Sequence, residues 1–127
     1  RAPLPASASA PCLAPAGAPP AGADGLLEQA RSLADLGQFQ LAGEKCHAHL
    51  AQAPDAAEAY FILGILNEQA GKTALAEDYW RRCIYLQPDH YEALCHLALL
   101  TEHNGNGAAA AALKARAARI FQRRHPS

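Results

Sequence analysis

The chain has 127 residues and a formal net charge of −1, enough for one modest core and too little for a cofactor fold plus a substrate domain. Alanine supplies 31 residues and leucine 17, valine and methionine are absent, and the β-branched set is four isoleucines and two threonines, which excludes pleated-sheet architectures and predicts an all-α fold. The near-neutral balance argues against a generally basic nucleic-acid binder, and the longest apolar run, the eight residues Ala59 to Leu66, is too short to cross a bilayer.

Six of the nine prolines lie in the first 20 residues, and after Arg1 no charge occurs before Asp24. Proline removes backbone donors and disfavours helix in the residue before it, so residues 1–23 are expected to be a disordered Pro/Ala-rich linker. An Ala-x-Ala pattern invites a signal-peptide reading, but prolines interrupt every stretch that could form its apolar region. The segment therefore reads as a tether to an N-terminal partner, and the absence of an initiator methionine fits a processed chain or an excised fragment. Cys12, Cys46, Cys83 and Cys95 form no close pair, which speaks against a zinc ribbon, a redox Cys-x-x-Cys motif or a disulfide framework and for reduced thiols in a cytoplasmic protein.

From Asp24 the pattern becomes helix, turn, helix, with a fixed interval. Gly37, Gly71 and Gly105 are 34 residues apart, as are Ala42, Ala76 and Ala110, and Pro54 and Pro88 keep the same spacing. A 34-residue period of two helices is that of a tetratricopeptide (TPR) array. The expected units are residues 23–56, 57–90 and 91–124 of a TPR domain over 24–124, followed by a tail over 125–127. The first unit keeps Leu26, Ala30, Leu33, Gly37, Ala42 and Pro54, with Cys46 at its large-residue position. The middle unit is the clearest, with Tyr60-x-x-Leu63-Gly64-x-x-Asn67, Ala76-x-x-x-Trp80 and Pro88. Tyr60, Leu63 and Trp80 should fill the space between paired helices, Gly64 and Ala76 should permit their close approach, and Gly71 should end the first helix in a left-handed conformation. Asp55 with Glu58, and Asp89 with Glu92, have the spacing of capping boxes. The third unit keeps Leu94, Leu97, Ala98, Gly105 and Ala110 but has Lys114 at the aromatic position and no closing proline, so its last helix is expected to run on as a polar cap. Helices are predicted at roughly 25–36, 39–52, 56–70, 74–87, 90–103 and 108–124.

No catalytic constellation emerges. On a helix, neighbours one or two positions apart point to different faces, so neither Cys46 with His47 and His49 nor Cys95 with His96 converges on one ion, and metal binding is not expected. Asn104-Gly105-Asn106-Gly107 lacks the strand context of a phosphate loop and reads as a turn. Function should therefore be protein binding, through the inner surface that stacked helix pairs create. In this register the exposed inner positions are Leu27, Arg31 and Ala34, then Glu58, Phe61, Ile65 and Glu68, then Glu92, Cys95, Leu99 and Glu102. The expected groove has an apolar floor of Leu27, Phe61, Ile65 and Leu99 and an acidic margin, suited to an amphipathic helix or extended peptide carrying Lys or Arg. Asp24 to Glu102 holds twelve acids against five bases, whereas Lys114, Arg116, Arg119, Arg123 and Arg124 follow with no acid. The basic end reads first as cations suited to a helix C-terminus, and second as a contact for nucleic acid or an acidic protein. A receptor for chaperone C-terminal carboxylates would need Lys, Arg and Asn on the inner wall and is disfavoured.

The run from Tyr79 to Ile120, above all Tyr85-Leu86-x-Pro88-x-His90, Glu92-Ala93-Leu94 and His96-Leu97-Ala98-Leu99-Leu100, resembles the C-terminal TPR region of CheR-type chemoreceptor methyltransferases, in particular the Wsp type of biofilm-linked surface sensing. The resemblance implies a parent protein with an N-terminal S-adenosylmethionine-dependent domain that methylates receptor glutamates, outside this sequence. No catalytic or cofactor residue carries over. It further implies that the repeats tether or regulate the enzyme at a chemoreceptor signalling complex, or dock on the parent's own methyltransferase domain. Self-association, and a stand-alone TPR scaffold unrelated to methylation, are the alternatives.

Overall fold

A computed structural model describes residues 23–125. The predicted linker, all but its last residue, lies outside the described residues, as do Cys12 and the last two residues. Among the described residues there are six helices and no strands: α1 Ala23–Asp35, α2 Phe39–Gln52, α3 Ala57–Gln69, α4 Thr73–Leu86, α5 Tyr91–His103 and α6 Gly107–Arg124. Each predicted helix is present with ends shifted by two residues or fewer. The helices pack chiefly as consecutive pairs, α1 on α2, α3 on α4 and α5 on α6, with α2 against α3 and α4 against α5 joining one pair to the next. This is the all-α, TPR-type solenoid.

The repeated residues explain the repeated geometry. Gly37, Gly71 and Gly105 have φ of +80°, +81° and +90°. Each ends its helix with the same two bonds: Gln38, Lys72 and Asn106 N–H donate to Leu33, Asn67 and Thr101 carbonyls, and the glycine N–H groups donate to Ala34, Glu68 and Glu102 carbonyls, at 2.8–3.0 Å. Only a residue without a Cβ adopts this left-handed turn cheaply, and the double bond satisfies carbonyls that the helix end would otherwise orphan. Ala53 and Gln87, at φ −138° and −137° with ψ of 80° and 87°, leave helical geometry and end the second helices, because proline disfavours helical conformation in the residue before it.

Ala42, Ala76 and Ala110 are all buried, as are Leu63, Trp80, Leu94 and Leu97. Trp80 lies wholly inside, its Nε1–H donating to the Phe61 carbonyl at 3.2 Å, and its ring meets His96 at 5.2 Å between centroids. Cys46 and Cys83 are free and buried, and Cys95 is free and half-buried. Burial pushes the thiol of Cys46 up to about 11 and that of Cys83 to about 12, so neither ionises near neutrality and both act as small apolar groups.

The two predicted capping boxes do not form. The N-cap of α3 is Ala56, without a side-chain bond, and that of α5 is His90, whose ring accepts from Ala93 N–H. The turns that follow Pro54 and Pro88 place each helix start two residues past the aspartate. Asp55 and Asp89 are left in the turns, and Glu58 falls at the second helical position rather than the third, where a capping box needs it. At the start of α6, Asn106 does cap, its Oδ1 accepting from Ala109 N–H at 3.2 Å.

Candidate partner-binding site

Helices α1, α3 and α5 carry the predicted inner surface, and the structure brings part of it together. Arg31 of α1 pairs with Oε2 of Glu58 on α3, while Oε1 of the same carboxylate lies 2.9 Å from His90 Nε2 at the start of α5. His90 Nδ1 accepts from Ala93 N–H at 3.1 Å. One glutamate thus ties α1 and α3 to the N-cap of α5. Glu58, expected as a selector of partner charge, is spent inside the array, and so is Arg31. Beside this bridge a shallow cleft of about 440 Å³ is lined by Leu27, Glu28, Arg31 and Glu58.

The bond geometry sets the protonation of His90. A ring nitrogen that accepts from an amide cannot carry a proton, so Nδ1 is bare and Nε2–H donates to Glu58. Burial depresses the pKa of His90 below the ordinary histidine value. Glu92 opposes this, while Arg124 and Arg31 add to it. With the folded pKa below the unfolded one, the unfolded chain takes up more protons as pH falls below about 6.5. The stabilisation is present above that pH and is lost as pH falls towards the folded value. His90→Asn keeps an N-cap acceptor but does not titrate. Its melting temperature should therefore decline less than that of the parent chain between about pH 7.5 and about pH 5.5; equal declines in thermal melts would refute the assignment.

Phe61 is not a floor residue. It is only 4% exposed, with its ring 4.8 Å from that of His90 and 5.5 Å from that of His96. His90, the N-cap of α5, and His96 of α5 roof it over, so it belongs to the core between α3 and α5. Ile65, half-buried, packs against the same core. Ala34 and Glu68 are half-buried and Glu92 is exposed. Glu102 is exposed but engaged, Lys114 Nζ lying 2.9 and 3.0 Å from its two carboxylate oxygens. The continuous apolar floor expected along α1, α3 and α5 is therefore interrupted in the middle repeat.

What remains open is at the last repeat. Leu99 is 63% exposed, and with Tyr91, Cys95 and Ala98 of α5 and Lys114, Ala117 and Ala118 of α6 it lines a depression of about 310 Å³. Leu99 and Cys95 are two of the predicted residues; the α6 wall was missed. Its signal is Lys114 at a position held by buried Cys46 and Trp80 in the earlier repeats. In those repeats the next pair covers this edge, and beyond α6 no further pair is present among the described residues. Nor does any group of three His, Cys, Asp or Glu among them have the arrangement to hold a metal ion, and no helix is long and apolar enough to cross a membrane.

No protein-family model matches the chain. It is similar to the probable biofilm formation methyltransferase WspC of Pseudomonas aeruginosa, 40% identical over 103 residues that cover 81% of this chain and 24% of the relative. WspC of Pseudomonas putida is likewise 40% identical, over 98 residues, 77% of this chain and 23% of the relative. The chain thus spans about a quarter of the length of these curated relatives. Among solved structures it is similar to a crystal structure of MamA, with a TM-score of 0.75 and 18% identity over 84% of this chain and 62% of that one. MamA from Desulfovibrio magneticus gives a TM-score of 0.70 at 20% identity, over 80% and 57% of the two chains. These structures share the fold.

Proposed function

We propose that this chain is the protein-interaction tail of a chemoreceptor glutamate methyltransferase of the biofilm-signalling type, and that it holds or regulates that enzyme at a cytoplasmic receptor complex. The observation that carries the proposal is the match to the methyltransferase relatives: what the chain shares with them is close in length to a six-helix array and is a minor part of their length. A repeat array recognises other chains through exposed residues on ordered helices. S-adenosylmethionine would be bound by the methyltransferase domain of the parent protein, and this chain's contribution would be binding alone.

The partner segment would lie along α5, with Leu99 as the apolar anchor in the depression that Cys95 and Tyr91 line and with Glu68 and Glu92 favouring basic side chains. Leu99 contacts water over most of its surface, so changing it tests binding without opening the core, which a change at Phe61 would do. The double variant Leu99→Asp, Glu68→Lys should keep its helical circular dichroism. By calorimetry it should bind a receptor cytoplasmic fragment, or the isolated methyltransferase domain, about tenfold or more weakly. Unchanged affinity for both would sink the site. Light scattering that showed the chain to associate with itself through Leu99 would favour self-assembly instead.

A further inference from the structure

Away from Leu99, the arginines of α6 gather over the α4–α5 connection. Arg116 Nη2 donates to the Pro88 carbonyl and Arg124 Nη2 to the Asp89 carbonyl, both at 3.2 Å. Between these two anchored guanidinium groups, Arg119 and Arg123 are exposed and make no hydrogen bond or ion pair among the described residues. Arg116, Arg119 and Arg123 line one depression of about 510 Å³ with Pro88, Asp89 and Gln122. Positions 116, 119 and 123 lie on one helical stripe, roughly 4.5 and 10.5 Å along the axis from the first. Asp89 is the one acidic residue lining the depression, and the two backbone bonds hold the cluster's flanks in place.

We propose that this stripe binds an acidic protein segment whose carboxylates recur at helical spacing, each received by an arginine fork. Guanidinium and carboxylate match as two parallel N–H···O bonds, and Arg119 and Arg123 have all their donors free for them. The acidic body of the chain and its basic last helix make a strong charge asymmetry, which draws a compact anionic ligand to this end. The same asymmetry disfavours nucleic acid. A stripe of about 10 Å spans few phosphates, and a longer polyanion would run onto a surface with twelve acids and five bases. This site deepens the reading of the chain as an interaction module but uses a surface separate from Leu99.

The test is fluorescence anisotropy with the full 127-residue chain and a short labelled alanine-based helical peptide carrying glutamates at the i, i+3 and i+7 positions. Its glutamine counterpart and a short single-stranded oligonucleotide serve as competing probes. The acidic peptide should bind, the glutamine peptide should not, and added salt should weaken the complex. Arg119→Ala with Arg123→Ala should weaken it about tenfold or more without changing helicity or melting temperature. The Leu99→Asp, Glu68→Lys variant should bind the acidic peptide as the parent chain does, so failure at one surface is separable from failure at the other. An affinity unmoved by the arginine changes, equal binding of the glutamine peptide, no binding of the acidic peptide, or tighter binding of the oligonucleotide would each overturn the proposal.

Discussion

Replacing Gly64 with alanine should destabilise the fold by roughly 2 kcal/mol or more, although alanine is the better helix former by about 1 kcal/mol. A Cβ at this position would overlap Trp80 Nε1 and stand 2.5 Å from its Cδ1 and 2.8 Å from its Cε2. The indole has nowhere to go. It is completely buried, and its N–H is committed to the Phe61 carbonyl, so moving the ring orphans a buried donor as well as unpacking the largest side chain of the core. Because the middle pair contacts both neighbours, the loss should spread to the whole array. Urea denaturation followed by circular dichroism reads the effect. In a Trp80→Phe background the obstructing N–H edge is gone, and the cost of Gly64→Ala should shrink. A cost unchanged by that background would place the clash elsewhere.

The second large effect is expected at Glu58. Glu58→Ala should cost about 1–3 kcal/mol, because it leaves the buried His90 Nε2–H without its acceptor and Arg31 without its partner. The two halves of the bridge should not contribute equally. Arg31 is about half exposed in its side chain, whereas that of His90 is 6% exposed. Water screens the first pair, which should be worth less than about 1 kcal/mol, and the buried contact should carry the rest. Double-mutant cycles of Glu58→Ala with Arg31→Ala and with His90→Asn separate these shares. A larger coupling to Arg31 than to His90 would contradict the burial argument.

The bridge also shows where reading residues in order stops being sufficient. Glu58 and Glu102 occupy inner positions of their helices as expected from the 34-residue register. Whether such a carboxylate is free for a partner depends on what stands opposite, and the opposing groups come from 27 and 32 residues away for Glu58 and 12 for Glu102. Phe61 makes the same point for an apolar side chain. It stands at the register position of Leu27 and half-buried Cys95, yet His90, the N-cap of α5, and His96 of α5 cover it. Leu99 has no following repeat among the described residues and stays open. Proximity of the aspartates to the helix starts misled in a smaller way: the turn after each proline decides the first helical residue, and one residue of shift removes a capping box.

The sequence by itself determined the helix count and limits, the three turns and the stacking of pairs. Those properties follow from local chemistry repeated at a fixed interval: glycines that adopt positive φ, alanines that let helices approach, prolines that stop them, and apolar residues at helical spacing. The tertiary structure decided which inner residues are available and which are spent. It closed Phe61, committed Arg31, Glu58 and Glu102, left Leu99 open against a wall from α6, and gathered arginines of α6 over the α4–α5 turn. Burial and pairing depend on groups distant in the chain meeting in space, and no periodicity along the sequence encodes which partner arrives there.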